Sequence, residues 1–163
     1  MRRLFFLVGL LVFLTAASGF AAEYNVTYTR VVDGDTFVVQ HENGAIDKVR
    51  IIGLDTPELH HPRKPVEFFA KEAKEKAVSL VLNKKLVLRT DPTNAARNHR
   101  GRYGRLLVNV YLPGNRDFAL VMIREGYAHA YVKYPFTAER MNRYRQAERK
   151  ARREERGLWG STP

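Results

Sequence analysis

The sequence predicts an α+β fold, a small five-stranded Greek-key β-barrel with three α-helices. Three observations predict it. Residues 24–54 are rich in Tyr, Val, Ile and Thr and are divided by turn residues, which is typical of short consecutive strands. Helical periodicity begins only after residue 65. The chain has 163 residues, 45% of them hydrophobic, which suits one domain with its own core.

The first half of the barrel is predicted as three antiparallel strands. Residues 24–32 form the first strand, which the acidic turn at 33–36 interrupts. Strand character resumes over residues 37–40. Asn43-Gly44 is a typical two-residue hairpin signal, and it returns the chain into a third strand over residues 48–54.

The second half is predicted to combine helices with two further strands. An apolar stripe faces lysines and glutamates over residues 66–82, with Pro65 suited to the start of this helix and Asn83 to its end. The remaining predicted elements are a strand over 85–89, a polar loop over 90–104, a fifth strand over 105–112, a short helix over 118–125 capped by Asp117, a long basic helix from Thr137 to about residue 156, and a hydrophobic anchor at Leu158 and Trp159. Five short strands with late helices indicate an oligonucleotide/oligosaccharide-binding fold.

The amino terminus has the order of a secretory signal peptide. Two arginines precede an apolar run over residues 4–14, and small residues follow up to Ala21. We expect cleavage after Ala21, an exported (secreted or periplasmic) protein, and a single domain over 22–163. The alternative is an uncleaved amino terminus that anchors the chain in a membrane. The chain has no cysteine, which excludes disulfides and thiolate metal sites.

The charge of the chain indicates an anionic partner. The formal net charge is +11 and the isoelectric point is about 10.1. Nucleic acid, a membrane surface or an acidic polymer would each satisfy this balance. Many of the charges lie in the last helical stretch, where they also fit a solvated face.

Two acidic clusters carry the strongest chemical signal. Asp33-Gly34-Asp35 alone would be only a turn, and an EF-hand is excluded because its twelfth position falls on Gly44. The second cluster, Asp55 with Glu58, lies one hairpin further on. Asp35 and Asp55 with a nearby carbonyl make an all-oxygen site for a hard cation, with Ca²⁺ favoured over Mg²⁺.

The residues around these acids complete the candidate site. Arg50 precedes the second cluster, and Arg105 follows the polar loop. Each guanidinium can hold phosphate oxygens and neutralise charge. Zinc is not expected, and His60 and His61 beside Glu58 are at least as consistent with solvent-facing loop positions.

At this point the residues resemble a known family. The segments 32–36, 50–58 and 103–105 are similar in order and spacing to the staphylococcal nuclease (thermonuclease) family, over about residues 24–159. The resemblance implies an oligonucleotide/oligosaccharide-binding barrel and Ca²⁺-dependent hydrolysis of DNA and RNA to 3′-phosphate products. It also implies these roles: Ca²⁺ ligands Asp35, Asp55 and the Thr56 carbonyl; catalytic Glu58, Arg50 and Arg105; nucleotide-binding Tyr103 and Tyr131; and Asp33 behind the metal ligands.

The chain departs from the family pattern outside these positions. Lys133, followed by Tyr134, stands where the type member has another tyrosine, so we expect base stacking to differ. The loop over 90–104 is longer, and Gly101 falls where an aspartate is often found. The metal, base and phosphate positions all match.

Three functions remain open from the sequence. The first is an exported nuclease that acts on DNA and RNA, with single-stranded or denatured forms favoured, as a monomer without stable membrane association after leader cleavage. The second is a non-catalytic module that binds single-stranded nucleic acid. The third is an anchored protein whose basic last helix lies on anionic lipid. Plain binding needs arginines but not carboxylates, so the acids favour the first.

Overall fold

A computed structural model of the chain describes residues 21–59 and 65–160. The predicted leader lies outside the described residues apart from Ala21, and so do His60 and His61. None of the helices that the structure describes has the length and apolar character needed to span a membrane.

The described chain forms a closed barrel with helices packed around it. The strands are β1 (Glu23–Asp33), β2 (Thr36–His41), β3 (Ile46–Ile51), β4 (Leu54–Asp55), β5 (Leu86–Arg89), β6 (Leu106–Leu112), β7 (Arg116–Asp117) and β8 (His129–Ala130). The helices are α1 (Ala70–Val81), α2 (Phe118–Arg124) and α3 (Ala138–Arg153), with 3₁₀ turns at Pro92–Arg97 and Gly157–Trp159. The strand order β3-β2-β1-β5-β6 closes through a parallel β3–β6 pair, which confirms the five-stranded barrel.

The β2–β3 hairpin forms as predicted, but its loop is longer than two residues. His41 donates its backbone N–H to the carbonyl of Ala45 at 2.9 Å, so three residues, 42–44, form the loop. Gly44 has a φ of 83°, a left-handed conformation that glycine adopts without steric cost. A three-residue loop with glycine in this position is the next commonest hairpin connection.

The third strand ends earlier than the sequence predicts. A turn at Ile52-Gly53 separates β3 from the two-residue strand β4, so a continuous strand to Leu54 is wrong. Gly53 has a φ of 86°, and a Cβ there would lie 2.3 Å from the ring of Tyr144. The conformation and the close ring both require glycine, and they bend the chain at this point.

The predicted helix boundaries shift by a few residues. Helix α1 starts at Ala70, not at residue 66, because Phe69 has a left-handed φ of 66° that ends any helix before it. Pro65 therefore does not begin α1. Helix α3 ends at Arg153, three residues before the predicted end, while Asp117 caps α2 as expected by accepting the Leu120 N–H at 3.2 Å.

The carboxyl-terminal segment folds back as the sequence predicts. Leu158 donates its N–H to the carbonyl of Gly126 at 2.8 Å, and the Trp159 ring packs edge-on against His129. Arg152 lies 3.9 Å above the Trp159 ring. Both anchor residues are only half-buried, so they cover the barrel and do not enter its core.

Candidate active site

One open cleft of about 320 Å³ gathers the residues that the sequence singled out. Its lining comprises Asp33, Asp35, Thr36, Arg50, Asp55, Thr56, Glu58, Tyr103, Arg105, Tyr131, Lys133 and Tyr134. All nine predicted site residues are in this set. The structure therefore brings them together in one cleft, while the role of each remains a prediction.

The turn at Ile52-Gly53 brings Arg50 and Asp55 to the same side of the chain. In a fully extended strand these residues, five apart, would face opposite ways. Here the Arg50 Nη1 donates to the carbonyls of Ile51 and Leu54, each at 3.1 Å, so the guanidinium lies inside the bend. Its Nη2 reaches Asp55 Oδ1 at 2.6 Å.

Asp35 approaches the same guanidinium from the end of the acidic turn. Its Oδ2 lies 2.8 Å from Arg50 Nη1, and its Oδ1 accepts from the Thr36 hydroxyl at 2.8 Å. Gly34 makes this approach possible, because a Cβ at that position would lie 2.6 Å from Thr56 Cγ2. The sequence pattern Asp-Gly-Asp thus has a steric cause, since the turn packs directly on the loop that carries Asp55.

The two carboxylates share a single compensating charge. Burial raises the pKa of Asp55 above its ordinary value, and the neighbouring Asp35 adds to this, whereas Arg50 opposes both. Asp35 is 8% exposed and Arg50 5% exposed, so water screens this pair poorly, whereas the Asp55 side chain is 45% exposed. Two acids against one arginine leave a net negative charge that favours a bound cation.

The donor set at this point fits a hard cation. Within residues 21–59 and 65–160, no three or more Asp, Glu, His or Cys side chains converge as a metal cluster. Asp35 and Asp55 would therefore need main-chain or hydroxyl oxygens and water to complete a shell, which Ca²⁺ accepts. The buried oxygens Asp33 Oδ1 and Thr56 Oγ1 have no hydrogen-bond partner in the described part of the chain, so polar atoms at the cleft remain to be satisfied.

Glu58 lies at the exposed mouth of the cleft. Its backbone is fixed by Glu67, whose carboxylate accepts the Glu58 N–H at 3.0 Å and whose N–H donates to the Glu58 carbonyl at 3.1 Å. This pair of contacts ties the two ends of the 58–67 segment together. A carboxylate on a fixed backbone, open to solvent, can orient and deprotonate a water molecule.

Arg105 and Tyr103 form the opposite rim. Arg105 Nη1 donates to the Thr36 hydroxyl at 3.2 Å, and its guanidinium carbon lies 5.7 Å from the centre of the Tyr103 ring. Tyr103 is 74% exposed. In contrast to the buried Arg50, Arg105 is only half-buried.

Tyr131 lies on the third side of the cleft, with Lys133, which departs from the family pattern, and the adjacent Tyr134. Tyr131 donates its N–H to the Gly53 carbonyl at 3.0 Å, and its ring centre lies 5.9 Å from the Arg50 guanidinium carbon. Lys133 and Tyr134 also line the cleft. A Cβ at Gly101 would lie 3.2 Å from the Tyr134 hydroxyl, so Tyr134 occupies the space beside the position where an aspartate is often found.

Sequence reasoning missed Thr36 as a cleft residue and did not assign Lys133 or Tyr134 to the site. Thr36 hydrogen bonds both Asp35 and Arg105, so it links the acidic and basic sides. Its position directly after the acidic turn was the available signal. For Lys133 and Tyr134 the signal was only their spacing from Tyr131.

Comparison with known proteins identifies relatives along most of the chain. The family model described as "Staphylococcal nuclease homologue" matches residues 48–161. The chain is 32% identical over 149 residues to "Thermonuclease" of Staphylococcus hyicus, which covers 91% of this chain and 83% of that protein. It is 33% identical over 135 residues to "SPbeta prophage-derived endonuclease YokF" of Bacillus subtilis, which covers 83% of this chain but only 44% of that protein. The chain is also 32% identical over 138 residues to "Endonuclease YncB" of Bacillus subtilis, a match that covers 85% of this chain and 63% of that protein.

Proposed function

This chain belongs to the staphylococcal nuclease family, and we propose on that premise that it is a nuclease whose cleft hydrolyses phosphodiester bonds of DNA and RNA with Ca²⁺. The convergence of Glu58, Arg105 and the Asp35–Arg50–Asp55 trio in one cleft carries the proposal. A plain phosphate-binding site would not place carboxylates where they repel the ligand.

The cation site is proposed at the acidic side of the cleft. Asp35, Asp55 and the Thr56 carbonyl would hold Ca²⁺, which supplies positive charge to a phosphate oxygen when it is bound. The net negative charge of Asp35, Arg50 and Asp55 supports this assignment. Without a cation, a phosphodiester would be repelled by the two carboxylates, and Arg50 is already paired with both of them.

The chain's own groups perform the remaining chemistry. Glu58 takes a proton from the attacking water, whose oxygen bonds to phosphorus, and the P–O5′ bond breaks. The released 5′ oxygen takes a proton from solvent, which leaves a 3′-phosphate and a 5′-hydroxyl. Arg105 donates to the non-bridging oxygens, where negative charge develops in the transition state. Arg50 fixes the positions of Asp35 and Asp55 and offers its remaining donors to the same phosphate.

Single-stranded or denatured substrates fit this cleft best. Tyr103 is an exposed aromatic ring beside Arg105, and Tyr131 lies across the cleft beside Arg50. Unpaired bases can stack on such rings, whereas bases inside a duplex cannot reach them. We further propose that the protein acts as a monomer after export, with the leader over 1–21 removed and no stable membrane association.

An assay with purified mature protein (residues 22–163) tests the proposal. Denatured DNA and RNA should be degraded with Ca²⁺ and left intact with a chelator, and the products should carry 3′-phosphates. Undiminished cleavage in chelator would remove the cation from the mechanism. Products with 5′-phosphates would mean that the other phosphodiester bond breaks. Mass spectrometry of the exported protein should find Ala22 as the first residue.

The runner-up function is a non-catalytic module that binds single-stranded nucleic acid. The exposed Tyr103 beside Arg105 favours it, because stacking and phosphate contact suffice for binding. The Glu58→Gln variant separates the two functions. Binding without cleavage by both the native protein and the variant would support the module, and cleavage by the native protein alone would support the nuclease.

A further inference from the structure

A second basic surface lies away from the cleft, where the far end of β6 meets β7, α2 and α3. It is a groove of about 420 Å³ whose lining includes five arginines, one tyrosine and one carboxylate, Asp117. We call it the arginine groove and define it by Arg89, Tyr111, Arg116, Arg124, Arg140 and Arg143. None of these residues belongs to the lining of the candidate active site.

Tyr111 fixes two of the guanidiniums. The Arg89 guanidinium carbon lies 4.4 Å from the centre of the Tyr111 ring, and that of Arg140 lies 5.5 Å from it. Arg140 also donates to the Tyr111 hydroxyl and to Asp117 Oδ2, the latter at 2.8 Å. Stacked and hydrogen-bonded arginines lose little further freedom when they bind, so their unused N–H donors are preorganised for an anion.

The groove has more positive charge than its own acids neutralise. Arg89 pairs with Glu23 at 2.6 Å and Arg140 with Asp117, whereas Arg124 lies 3.9 Å from Glu125. Arg116 and Arg143 are exposed and make no ion pair within residues 21–59 and 65–160. An anion placed among these side chains would relieve their mutual repulsion, which plain solvation does only in part.

We propose that the arginine groove is a second binding site for the phosphate backbone of a single-stranded polynucleotide. The proposal rests on the proposed function in that this polynucleotide is the nuclease substrate. Guanidinium N–H donors match phosphate oxygens, which are the same in every nucleotide. The Tyr111 ring is covered by arginines and is not available to stack on a base, so the groove binds without regard to base sequence.

The location of the groove predicts a dependence on substrate length. Arg105 precedes β6 at the cleft and Tyr111 lies near the other end of that strand, so the two sites are about 20 Å apart along it at roughly 3.3 Å per residue. A single strand must therefore carry several phosphates to reach both sites. A dinucleotide can occupy only one of them.

Two matched charge-removing variants test the groove. Arg116→Gln with Arg143→Gln removes the exposed arginines of the groove, and neither side chain is buried. Arg145→Gln with Arg149→Gln is the control, because these residues are exposed on α3, lie outside the groove lining and remove the same charge. Circular dichroism and thermal unfolding verify that all proteins are folded.

Binding of fluorescently labelled oligothymidylate is measured in chelator, where cleavage is absent. With a strand of about 30 nucleotides at about 0.1 M salt, the groove variant should bind about twentyfold more weakly, and its salt slope should fall by about 1.4, for two lost phosphate contacts. The control variant should change the affinity by less than about threefold. Binding and, with Ca²⁺, cleavage of a thymidine dinucleotide should be the same in all three proteins.

Three outcomes would overturn the proposal. They are equal losses in both variants, which would indicate diffuse charge; no loss in the groove variant; or a loss confined to vesicles of anionic phospholipid, which would assign the groove to a membrane surface. Because binding is measured without cleavage, a native protein that never cleaves would refute the proposed nuclease and leave the groove result valid.

Discussion

The two sides of the cleft hold their functional groups by different means. The strand side consists of Asp35, Arg50 and Asp55, and Arg50 is 5% exposed within a network of two carboxylates and two backbone carbonyls. The loop side consists of Glu58, Tyr103 and Arg105. Glu58 and Tyr103 are exposed and Arg105 is half-buried, and in the described part of the chain Arg105 makes one side-chain hydrogen bond, to Thr36.

This difference means that an arginine on one side of the cleft matters mainly for stability, whereas an arginine on the other side matters mainly for ligand binding. An arginine that neutralises buried acids stabilises the fold, since its loss leaves charges that water cannot reach. An arginine at an open rim contributes little to stability but retains donors for a ligand. Arg50 and Arg105 are therefore not equivalent, although the sequence offers both as phosphate-binding residues.

The largest expected effect is that of Arg50→Ala. It should lower the free energy of unfolding by about 3–5 kcal/mol, because the buried Asp35 would lose its charge partner, and it should abolish cleavage. Denaturant unfolding followed by tryptophan fluorescence measures the change. Arg105→Ala is the matched control and should cost less than about 1 kcal/mol of stability. Equal destabilisation by the two variants would contradict the comparison.

Glu58→Gln should affect chemistry without affecting stability. The amide keeps the size of the side chain but cannot accept a proton, so the cleavage rate should fall by a factor of about 10²–10⁴. Unfolding in denaturant should match the native protein because Glu58 is exposed. A variant with native cleavage rates would refute its proposed role as general base.

Two glycines allow the same comparison for the backbone. Gly53→Ala on the strand side should cost about 2–4 kcal/mol, from a strained left-handed φ and an overlap with Tyr144. Gly104→Ala on the loop side has a similar φ of 71°, but nothing lies within 4 Å of the added Cβ. It should cost only about 1–2 kcal/mol, so thermal unfolding should rank the two clearly.

The smallest expected effect concerns the turn that carries Tyr103 and Arg105. Arg100 donates to the Gly104 carbonyl at 2.8 Å and to Asp47 at 3.2 Å, which ties this turn to the β2–β3 hairpin. Arg100→Gln should change stability by less than about 1 kcal/mol, since the ion pair is exposed.

The same variant should reduce cleavage by about threefold through a less ordered Arg105, on the scale of about 0.7 kcal/mol. Arg97→Gln, which removes an exposed arginine from the preceding 3₁₀ turn, serves as the control. A larger effect of the control than of Arg100→Gln would indicate that charge alone, and not the tie to Gly104, is responsible.

The barrel was largely predictable because its strands alternate and its turns use characteristic residues. Asn43-Gly44 indicated the β2–β3 hairpin, and Asp117 indicated the start of α2. The predicted hairpin loop was one residue too short, and the predicted start of α1 was four residues too early. Both depend on left-handed backbone conformations, at Gly44 and Phe69, which only the packed chain shows.

The site was predictable in membership but not in arrangement. The resemblance of the chain to one family, carried by residues 32–36, 50–58 and 103–105, placed nine residues together, and the cleft contains them all. Lys133 and Tyr134 were noticed as departures only, because their side chains reach the cleft through a loop without periodicity.

By itself, the sequence determined the strand and helix pattern, the family and the residue types of the site, since these depend on local propensity and motif spacing. Only the tertiary structure decided that Arg50 and Asp55 face each other. That outcome depends on Tyr144, a residue of α3 far along the chain, whose ring fills the space beside Gly53. The tertiary structure alone also gathered arginines from β5, β7, α2 and α3 around Tyr111, since no spacing in the chain relates positions so far apart in sequence.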